Sequence, residues 1–355
     1  MTDFSQKILS WYSHNKRELP WRNISDPYKI WVSEIILQQT RIVQGYDYYL
    51  RFVEAFPNVK ALAEADEDEV LRMWQGLGYY SRARNIHTAA QQVMEQWHGT
   101  FPTTYEGIRS LKGIGDYTAA AISSFAFHLP YAVVDGNVYR VLSRYFGIET
   151  PIDTTQGKKY YAALAQQLLP VKENADYNQA LMDFGATQCL PTSPCCESCV
   201  LNNACVAYHS HRVGDFPVKS HKVKTKERFF VYIKVITPQG TWLMRRGAND
   251  IWQGLYEYPL MEFDHTPTLA DLLKTDFVKS LPRDGQWKVV KERYRHVLTH
   301  QVIWADLYTL TFDYAFSAPS KYIVVANDDC SKYAMPQLIH KLEKNRNTLK
   351  SSKLL

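Results

Sequence analysis

The chain has 355 residues, of which 46% are hydrophobic and 22% charged. This composition is typical of a globular protein of about two domains and excludes a disordered or fibrous chain. Lys and Arg outnumber Asp and Glu by 41 to 36, which permits a polyanionic partner without requiring one. The first residues lack a basic stretch followed by an apolar run, and no window is apolar enough for a membrane span. We therefore expect a cytoplasmic protein with no membrane partner.

Residues 3 to about 205 have a helical pattern, with apolar residues at three- and four-residue spacings. Asp26 and Pro27 predict a helix start and a helix that runs to about Gln39. Further helices are predicted at 42–55, 66–74, 80–97, 103–111, 115–127, 136–146, 155–169 and 175–187. After a polar, basic linker, the segments 229–236 and 241–244 predict a β-hairpin, and 297–310 is again β-rich. The predicted fold is a mainly α domain followed by a smaller α+β domain.

The cysteines are unevenly placed. Cys330 is isolated, whereas the other five are clustered, namely Cys189, Cys195, Cys196, Cys199 and Cys205. Clustered cysteines in a protein expected to be cytoplasmic indicate a metal. Four thiolates suit an iron–sulfur cluster or zinc, and the wide outer spacings favour a 4Fe–4S cluster on Cys189, Cys196, Cys199 and Cys205 over zinc or free thiols. Cys195 is then a spare, and Cys330 an ordinary buried thiol.

The segment Leu111-Lys-Gly-Ile-Gly115 lies between two predicted helices. Its glycines allow a tight turn, after which the amides at the next helix start can point outward at a phosphate. Such contacts hold a nucleic-acid backbone without reading its sequence. Gly113 and Gly115 alone would equally suit an ordinary helix corner. Lys112 beside them and three alanines at 119–121 favour a phosphate site.

Two carboxylates are predicted to lie in different environments. Glu34 is in the middle of a helix among apolar residues, so desolvation should raise its pKa and make it a candidate general acid. Asp135 opens a helix, whose positive end should keep the carboxylate ionised. An acid and an anion of this kind suit chemistry at a glycosidic carbon. Taken singly, a buried salt bridge would explain Glu34 and a plain N-cap Asp135, and their spacing does not show that they meet.

Six motifs, in order, resemble one family, the helix–hairpin–helix DNA glycosylases that carry a 4Fe–4S cluster. They are Pro20-Trp-Arg22, Ser33-Glu-Ile-Ile-Leu-Gln-Gln-Thr40, Gly76-Leu-Gly-Tyr-Tyr80, Leu111-Lys-Gly-Ile-Gly115, Val134-Asp-Gly-Asn-Val138 and the four cysteines. Within that superfamily the chain is similar to adenine DNA glycosylases of the MutY type, which remove adenine mispaired with 8-oxoguanine. Relatives of the endonuclease III type place a Schiff-base lysine where this chain has Tyr117, lack the acid on the first catalytic helix, and have no C-terminal domain.

The resemblance implies base-excision repair of double-stranded DNA that contains 8-oxoguanine:adenine or guanine:adenine mispairs, by a monomer with one 4Fe–4S cluster. Adenine would leave the base stack, and Glu34 would protonate it while Asp135 stabilises the oxocarbenium ion. Asn137 and Tyr117 would orient groups beside the sugar carbon. Without the lysine, the enzyme would be monofunctional and would leave an abasic site.

The resemblance also implies contacts with the bases and the backbone. Arg22 and Asp183 would line the adenine pocket, and Gln38 and Gln39 would occupy the gap in the duplex. Tyr79 would act as a wedge beside 8-oxoguanine. The remaining DNA-binding residues would be Lys112, Gly113 and Gly115. Without the family, a core aromatic would explain Tyr79, and a solvated helix end the two glutamines.

The C-terminal part resembles a Nudix-fold recognition domain, through Gly247-x5-Gln253 and the residues that follow. It lacks the glutamate-rich helix that would bind Mg²⁺. Where the family carries Phe-Ser-His, this chain has Leu298, Thr299 and His300, so the aromatic wedge is lost, while Thr299 and His300 remain for 8-oxoguanine recognition. The predicted domains are a glycosylase domain at 1–208, a linker at 209–228, a Nudix-like domain at 229–345 and a basic tail at 346–355. Residues 20–128 would form the six-helix part, and 1–19 with 129–208 the iron–sulfur part.

Two other functions stay open on the sequence. One is an oxidised-pyrimidine glycosylase/lyase of the endonuclease III type, against which Tyr117 argues. The other is a non-catalytic iron–sulfur DNA-binding module, against which the Glu34–Asp135 pair argues, because simple binding needs no such acid.

Overall fold

The computed structural model describes residues 1–220 and 225–344. Its α-helices are α1 (Asp3–Asn15), α2 (Pro27–Leu37), α3 (Ile42–Ala55), α4 (Val59–Glu64), α5 (Glu67–Met73), α6 (Ser81–Gln96), α7 (Tyr105–Ser110), α8 (Asp116–Phe127), α9 (Gly136–Phe146), α10 (Thr155–Leu168), α11 (Asn174–Thr187), α12 (Val206–His209), α13 (Leu269–Leu273), α14 (Asp276–Lys279) and α15 (Gln337–Glu343). Its strands are β1 (Lys226–Thr237), β2 (Gly240–Arg245), β3 (Tyr256–Glu257), β4 (Leu260–Phe263), β5 (Gln286–Val297), β6 (Gln301–Thr311) and β7 (Ile323–Val325). Within the described ranges, no helix is long and apolar enough to cross a membrane.

The helix-capping signals in the sequence are confirmed. The Asp26 side chain accepts hydrogen bonds from the amides of Tyr28 and Lys29 at 3.0 and 3.3 Å, and Pro27 is the first residue of α2. The eight helices predicted after α2 are all present, with ends within two residues of those predicted. The predicted end of α2 is wrong by two residues, because Gln39 has a φ of 55° and cannot continue a right-handed helix.

The described residues form two compact units, drawn from Met1–Glu64 with Asn85–Lys222 and from Ala65–Arg84 with Val223–Leu355. The first unit is helical. One apolar core joins helices α1, α9, α10 and α11, with residues such as Trp11, Leu142, Tyr161 and Phe184 almost fully buried. In a second group of helices, α2 packs against α8, and α3 and α7 pack against this pair. These two helices are buried over most of their surface, so they form the interior of the unit.

The hairpin between α7 and α8 has the tight turn expected from its glycines. Gly113 has a φ of +77°, and a Cβ built on it would lie 2.6 Å from the Cβ of Asn85. Glycine is therefore required both by conformation and by space. Leu111 and Ile114 fill the interior of the turn, and Gly115 is the N-cap of α8. The amides of Gly113 and Gly115 donate to no protein group in the described part of the chain, which leaves them able to bind a ligand.

The second unit is built on a mixed sheet in the order β3-β2-β1-β6-β5, with β4 on β1 and β7 on β2. The predicted hairpin is confirmed, since Thr237 pairs with Gly240 and Ile236 with Thr241. Strand β1 is buried on both faces because its alternate residues enter two apolar cores. Helix α15 covers one face through Leu338, Ile339 and Leu342, and α13 covers the other. The predicted fold class, mainly α followed by α+β, is confirmed.

A network of ion pairs anchors the loop that carries the Nudix-like motif. Arg228 forms paired hydrogen bonds with Asp250 at 2.8 and 2.9 Å and with Glu262 at 2.6 Å. Arg246 joins Asp250 at 2.5 Å and the fully buried Glu257 at 2.7 Å. The two guanidinium groups lower the pKa of Asp250 to about 2, so its carboxylate stays ionised. The start of the loop is thus fixed by charge, whereas its end is held by backbone hydrogen bonds between Arg246 and residues Gly254 and Leu255.

Some sequence-based assignments fall elsewhere in the structure. Arg228, the last residue of the predicted linker, belongs to strand β1 and is buried. Ser220 hydrogen-bonds to Asp153 and Val218 to Ile152, so the start of the predicted linker packs on the helical unit. The predicted tail at 346–355 lies outside the described residues. Cys330 packs against one sheet core and is only partly buried.

Candidate active site

Glu34 lies in the middle of α2, a largely buried helix of the first unit. Every residue from Ile30 to Ile36 is buried, and Glu34 itself is 7% exposed. The Tyr117 hydroxyl, at the start of α8, donates a hydrogen bond of 2.8 Å to Oε2 of Glu34. Burial raises the pKa of Glu34 to about 6, while this hydrogen bond and the charge of Arg22 oppose the rise. A protonated Glu34 is therefore accessible near neutral pH.

Asp135 is the N-cap of α9, as its position in the sequence predicts. Its Oδ1 accepts from the amide of Val138 at 2.8 Å, and its Oδ2 accepts from the side-chain amide of Asn137 at 2.7 Å. We expected the helix end to set the charge of this group. Burial instead has the largest effect and raises the pKa of Asp135 above its ordinary value, and the two amides and Arg140 oppose it. Asp135 is thus a carboxylate whose two oxygens are both oriented by donors.

The two carboxylates face the same cavity. Its volume is about 540 Å³, and its lining includes Glu34, Tyr117, Asp135 and Asn137. A cavity of this size is typical of small-molecule sites and is large enough for a nucleobase with its sugar. The juxtaposition of Glu34 and Asp135, which their spacing along the chain left open, is therefore seen in the structure.

A buried ion-pair group lies at one side of this cavity. Arg22 lines the cavity and donates to Asp183 at 3.1 Å, and Arg17, which also lines the cavity, pairs with the same carboxylate. Asp183 is fully buried and is not among the lining residues. Its effect on the cavity would therefore pass through the two arginines that it holds. Sequence reasoning missed Arg17, because its neighbourhood in the chain is polar and resembles a solvated loop.

Sequence reasoning also missed Arg140 and Arg144, which lie one turn apart on α9. The Arg140 guanidinium donates to Oδ1 of Asn137 at 2.8 Å and to the carbonyl of Cys189 at 2.8 Å. Arg144 lies 3.4 Å from the Sγ of Cys189 and donates to the carbonyls of the next two residues. Helix α9 thus has Asp135 at its start, and Arg140 and Arg144 further along the helix hold the cysteine segment. The i, i+4 spacing of the arginines was the available signal.

The clustered cysteines line one small cavity and form no disulfide within the described part of the chain. Burial raises the pKa of Cys199 to about 11, so this thiol would be neutral without a cation to stabilise its thiolate. Among the residues described, no group of three or more His, Cys, Asp or Glu is spaced to hold a single metal ion. The sulfurs of an iron–sulfur cubane bind separate irons and need not converge on one point. Cys189, Cys196, Cys199 and Cys205 line the same cavity and interact electrostatically with one another, which fits the four ligands of a 4Fe–4S cluster.

Three residues that were predicted to contact DNA lie on the same helical unit. Gln38 is the C-cap of α2 and donates to Thr118 at 3.2 Å, and Gln39 is exposed with a left-handed backbone. Lys112 has an exposed side chain, and its amide donates to Gln92 at 2.7 Å. The two glutamines thus lie in the turn that directly follows α2.

The residues predicted to read 8-oxoguanine lie together in the second unit. The amide of Leu298 donates to the carbonyl of Gln301 at 2.8 Å, which places Thr299 and His300 at the two-residue tip of the β5–β6 hairpin. Tyr79 is 43% exposed, and its hydroxyl forms a hydrogen bond with the hydroxyl of Thr299. These residues line a cavity of about 440 Å³, and Leu298 packs against the apolar core below it.

Comparison with known proteins agrees with this geometry. Residues 32–170 match the family described as "HhH-GPD superfamily base excision DNA repair protein", and residues 231–345 match the NUDIX domain. The chain is 38% identical to the adenine DNA glycosylase of Buchnera aphidicola subsp. Baizongia pistaciae over 85% of its own length and 84% of the relative. It is 35% identical to the enzyme of that name from Buchnera aphidicola subsp. Acyrthosiphon pisum, over 72% and 73%. The chain belongs to the adenine DNA glycosylase family.

A solved structure of a thermostable thymine-DNA glycosylase is similar to part of this chain. The TM-score is 0.55 at 31% identity, over 58% of this chain and 95% of that one. The family membership makes the chain a DNA N-glycosylase of base-excision repair and confirms the sequence-based family assignment. The individual roles of the site residues remain predictions.

We predict that Asp183→Asn destabilises the helical unit by about 3 kcal/mol, because it leaves two guanidinium groups without their buried counter-charge. Urea unfolding would measure this. Glu149→Gln is the matched control, since it breaks the exposed pair with Arg212 and should cost less than about 1 kcal/mol. Equal losses in the two variants would contradict the assigned role of Asp183.

Proposed function

We propose that this enzyme removes adenine paired with 8-oxoguanine or guanine in double-stranded DNA, acting as a cytoplasmic monomer. The observation that carries the proposal is the shared cavity, in which a desolvated acid faces a carboxylate held by amide donors. A base inside a duplex cannot reach Glu34 on a buried helix, so adenine would have to leave the stack. The names of the relatives support adenine as the base removed.

Glu34 would be the proton donor. With a pKa of about 6, about a tenth of Glu34 is protonated at pH 7, which suffices for a general acid near its operating pH. Protonation of the adenine ring at N7 would let the base leave as a neutral group. The Tyr117 hydroxyl fixes the rotamer of the carboxyl through its hydrogen bond.

Asp135 would stabilise the positive charge that develops on the sugar as the bond to adenine breaks. Its two oxygens are already oriented by Val138 and Asn137, so the carboxylate needs little rearrangement when the charge appears. Water would then attack the sugar carbon. With Tyr117 at the position of the Schiff-base lysine, this cavity offers no amine for a covalent lyase step, and the product would be an abasic site.

A 4Fe–4S cluster held by Cys189, Cys196, Cys199 and Cys205 would cross-link a segment that has few apolar contacts of its own. The cluster would stabilise the thiolates and fix the fold of residues 189–205 when bound. Arg140 and Arg144 tie this segment to α9, so they would transmit that order to the helix that presents Asp135. The proposed role of the cluster is structural support.

Recognition of 8-oxoguanine would belong to Tyr79, Thr299 and His300. The hydrogen bond between Tyr79 and Thr299 holds the aromatic ring beside the hairpin tip, where the ring can act as a wedge. Thr299 and His300 supply donors and acceptors for the edge of the lesion base. Leu298 packs into the core and does not replace the aromatic residue of the family, so the wedge function would rest on Tyr79.

We predict that Glu34→Gln lowers the single-turnover rate of adenine release from an 8-oxoguanine:adenine duplex by about 10²–10⁴-fold, because the amide cannot donate the proton. DNA binding should persist. Glu54→Gln, an exposed position on α3, serves as control and should keep the wild-type rate. Undiminished release by Glu34→Gln would exclude the acid role. Assays on guanine:adenine and oxidised-pyrimidine duplexes would test the substrate. Activity on the oxidised-pyrimidine duplex alone would overturn the proposal that adenine is the base removed.

The pH dependence of adenine release tests the pKa of Glu34. The protonated form is lost as the pH rises through about 6, so the rate should fall above that pH, by about tenfold per unit well above it. Tyr117→Phe removes a hydrogen bond that lowers this pKa, so the fall should move to higher pH. A profile that moves to lower pH in Tyr117→Phe would contradict the assignment.

The two kinds of cysteine in the cluster segment should behave differently. Cys199→Ser should lose bound iron and sulfide, because it removes one of the four proposed ligands. Cys195→Ser should retain about four irons per chain, since Cys195 is exposed and spare. Chemical analysis of iron and sulfide in the purified proteins would measure both. One zinc ion per wild-type chain would contradict the proposed cluster.

A further inference from the structure

Strand β5 carries an excess of positive charge at an edge of the sheet. The strand contains four cationic residues and one carboxylate, that of Glu292. The cationic residues are Lys288, Lys291, Arg293 and Arg295. None of the four forms an ion pair in the part of the chain that the structure describes. Burial lowers the pKa of His296 on this strand to about 4, so it adds no charge at neutral pH. Unpaired cations on an exposed edge indicate an anionic partner.

A β-bulge sets the direction of one of these side chains. Arg293 has a φ of 51°, which is rare for a residue other than glycine, and the pairing with β6 shifts between Lys291 and Tyr294. The amide of Arg293 donates to Oδ1 of Asp306 at 2.6 Å, so the bulge is held by a side chain of the neighbouring strand. Bulges of this kind turn a side chain out of the regular alternation of the strand.

Arg295 is positioned by a different contact on the adjoining strand. Its guanidinium lies 5.9 Å from the ring centre of Trp304, directly across the strand pair. The indole of Trp304 is itself held by a hydrogen bond of 3.1 Å to Glu227. Asp306 and Glu227 accept hydrogen bonds from the Arg293 amide and the Trp304 indole, respectively. Asp306 also interacts electrostatically with the Arg293 guanidinium, but neither acid forms an ion pair with either arginine among the described residues.

The strand leads directly into the hairpin tip at Thr299. At about 3.3 Å per residue, Arg295 and Arg293 lie about 13 and 20 Å along the strand from Thr299. The rise of B-DNA is about 3.4 Å per step, so this distance corresponds to about four to six nucleotides from a base held at the tip.

We propose that Arg293 and Arg295 bind the DNA backbone that flanks the base read by the hairpin tip. The inference rests on the proposed function through the location of the lesion at Thr299, and it extends the DNA-binding surface onto strand β5. The contacts would be to phosphates, so they would add affinity without sequence preference.

The test is the salt dependence of DNA binding by the full chain. In the double variant Arg293→Gln with Arg295→Gln, Kd for an undamaged duplex and for an 8-oxoguanine:adenine duplex should rise by about thirty-fold at 0.15 M salt. The slope of log Kd against log salt concentration should fall by about 1.8, which is two phosphate contacts. Replacing both arginines by lysine should restore most of the slope, since lysine keeps the charge.

The matched control is Lys274→Gln with Lys279→Gln, which removes the same charge from exposed positions at α13 and α14. It should leave the slope nearly unchanged. An equal loss in this control would show a net-charge effect and overturn the proposal, as would an unchanged slope in the arginine variant. Thermal unfolding of each variant identifies loss of fold. Binding to undamaged DNA does not require excision. The salt dependence of that binding therefore tests the role of the two arginines even if the proposed adenine chemistry fails.

Discussion

The chemistry proposed for this enzyme depends on keeping one carboxyl, that of Glu34, out of water. A charged group in an apolar interior is costly unless it is paired, so a buried carboxyl favours its neutral form. Helix α2 creates that situation because its central residues are all buried and, apart from Ser33 and Glu34 itself, apolar. Tyr117 provides one hydrogen bond, which is enough to orient Glu34 and too little to compensate fully for desolvation. The acid is therefore a product of folding, and no single neighbour creates it.

The number of donors distinguishes the two carboxyl groups in the cavity. Glu34 receives a hydroxyl, whereas Asp135 receives a backbone amide and a side-chain amide at the start of a helix. The pKa of each group is raised by burial, but only at Asp135 do several fixed dipoles favour the anion. Because those dipoles belong to α9, the position of the Asp135 carboxylate depends on the position of that helix. Arg140 and Arg144 anchor the same helix to the cysteine segment, so the two parts of the helical unit are mechanically joined.

Local signals were sufficient for most helices. Caps such as Asp26 and Asp135, and apolar spacing within helices, depend on neighbouring residues and can be read from the chain. Strand β5 escaped prediction because it is an edge strand whose charged residues hide the alternation. Arg17 and Arg140 escaped because their partners lie 166 and 49 residues away. Gln39 and Arg293 escaped because their left-handed backbones are imposed by packing and cross-strand bonds that no local pattern reports.

The hairpin tip between β5 and β6 has a further consequence for how the family can vary. Val297 pairs with Val302, and the turn between them contains only one closing pair and two tip residues. Side chains on a strand alternate between faces, so one inserted residue would exchange the inner and outer sets of a whole strand. Such an insertion would expose Ile303 and Leu307 to solvent. The core beneath the hairpin therefore fixes the length of the turn, whereas the identity of the two tip side chains is set by what they bind.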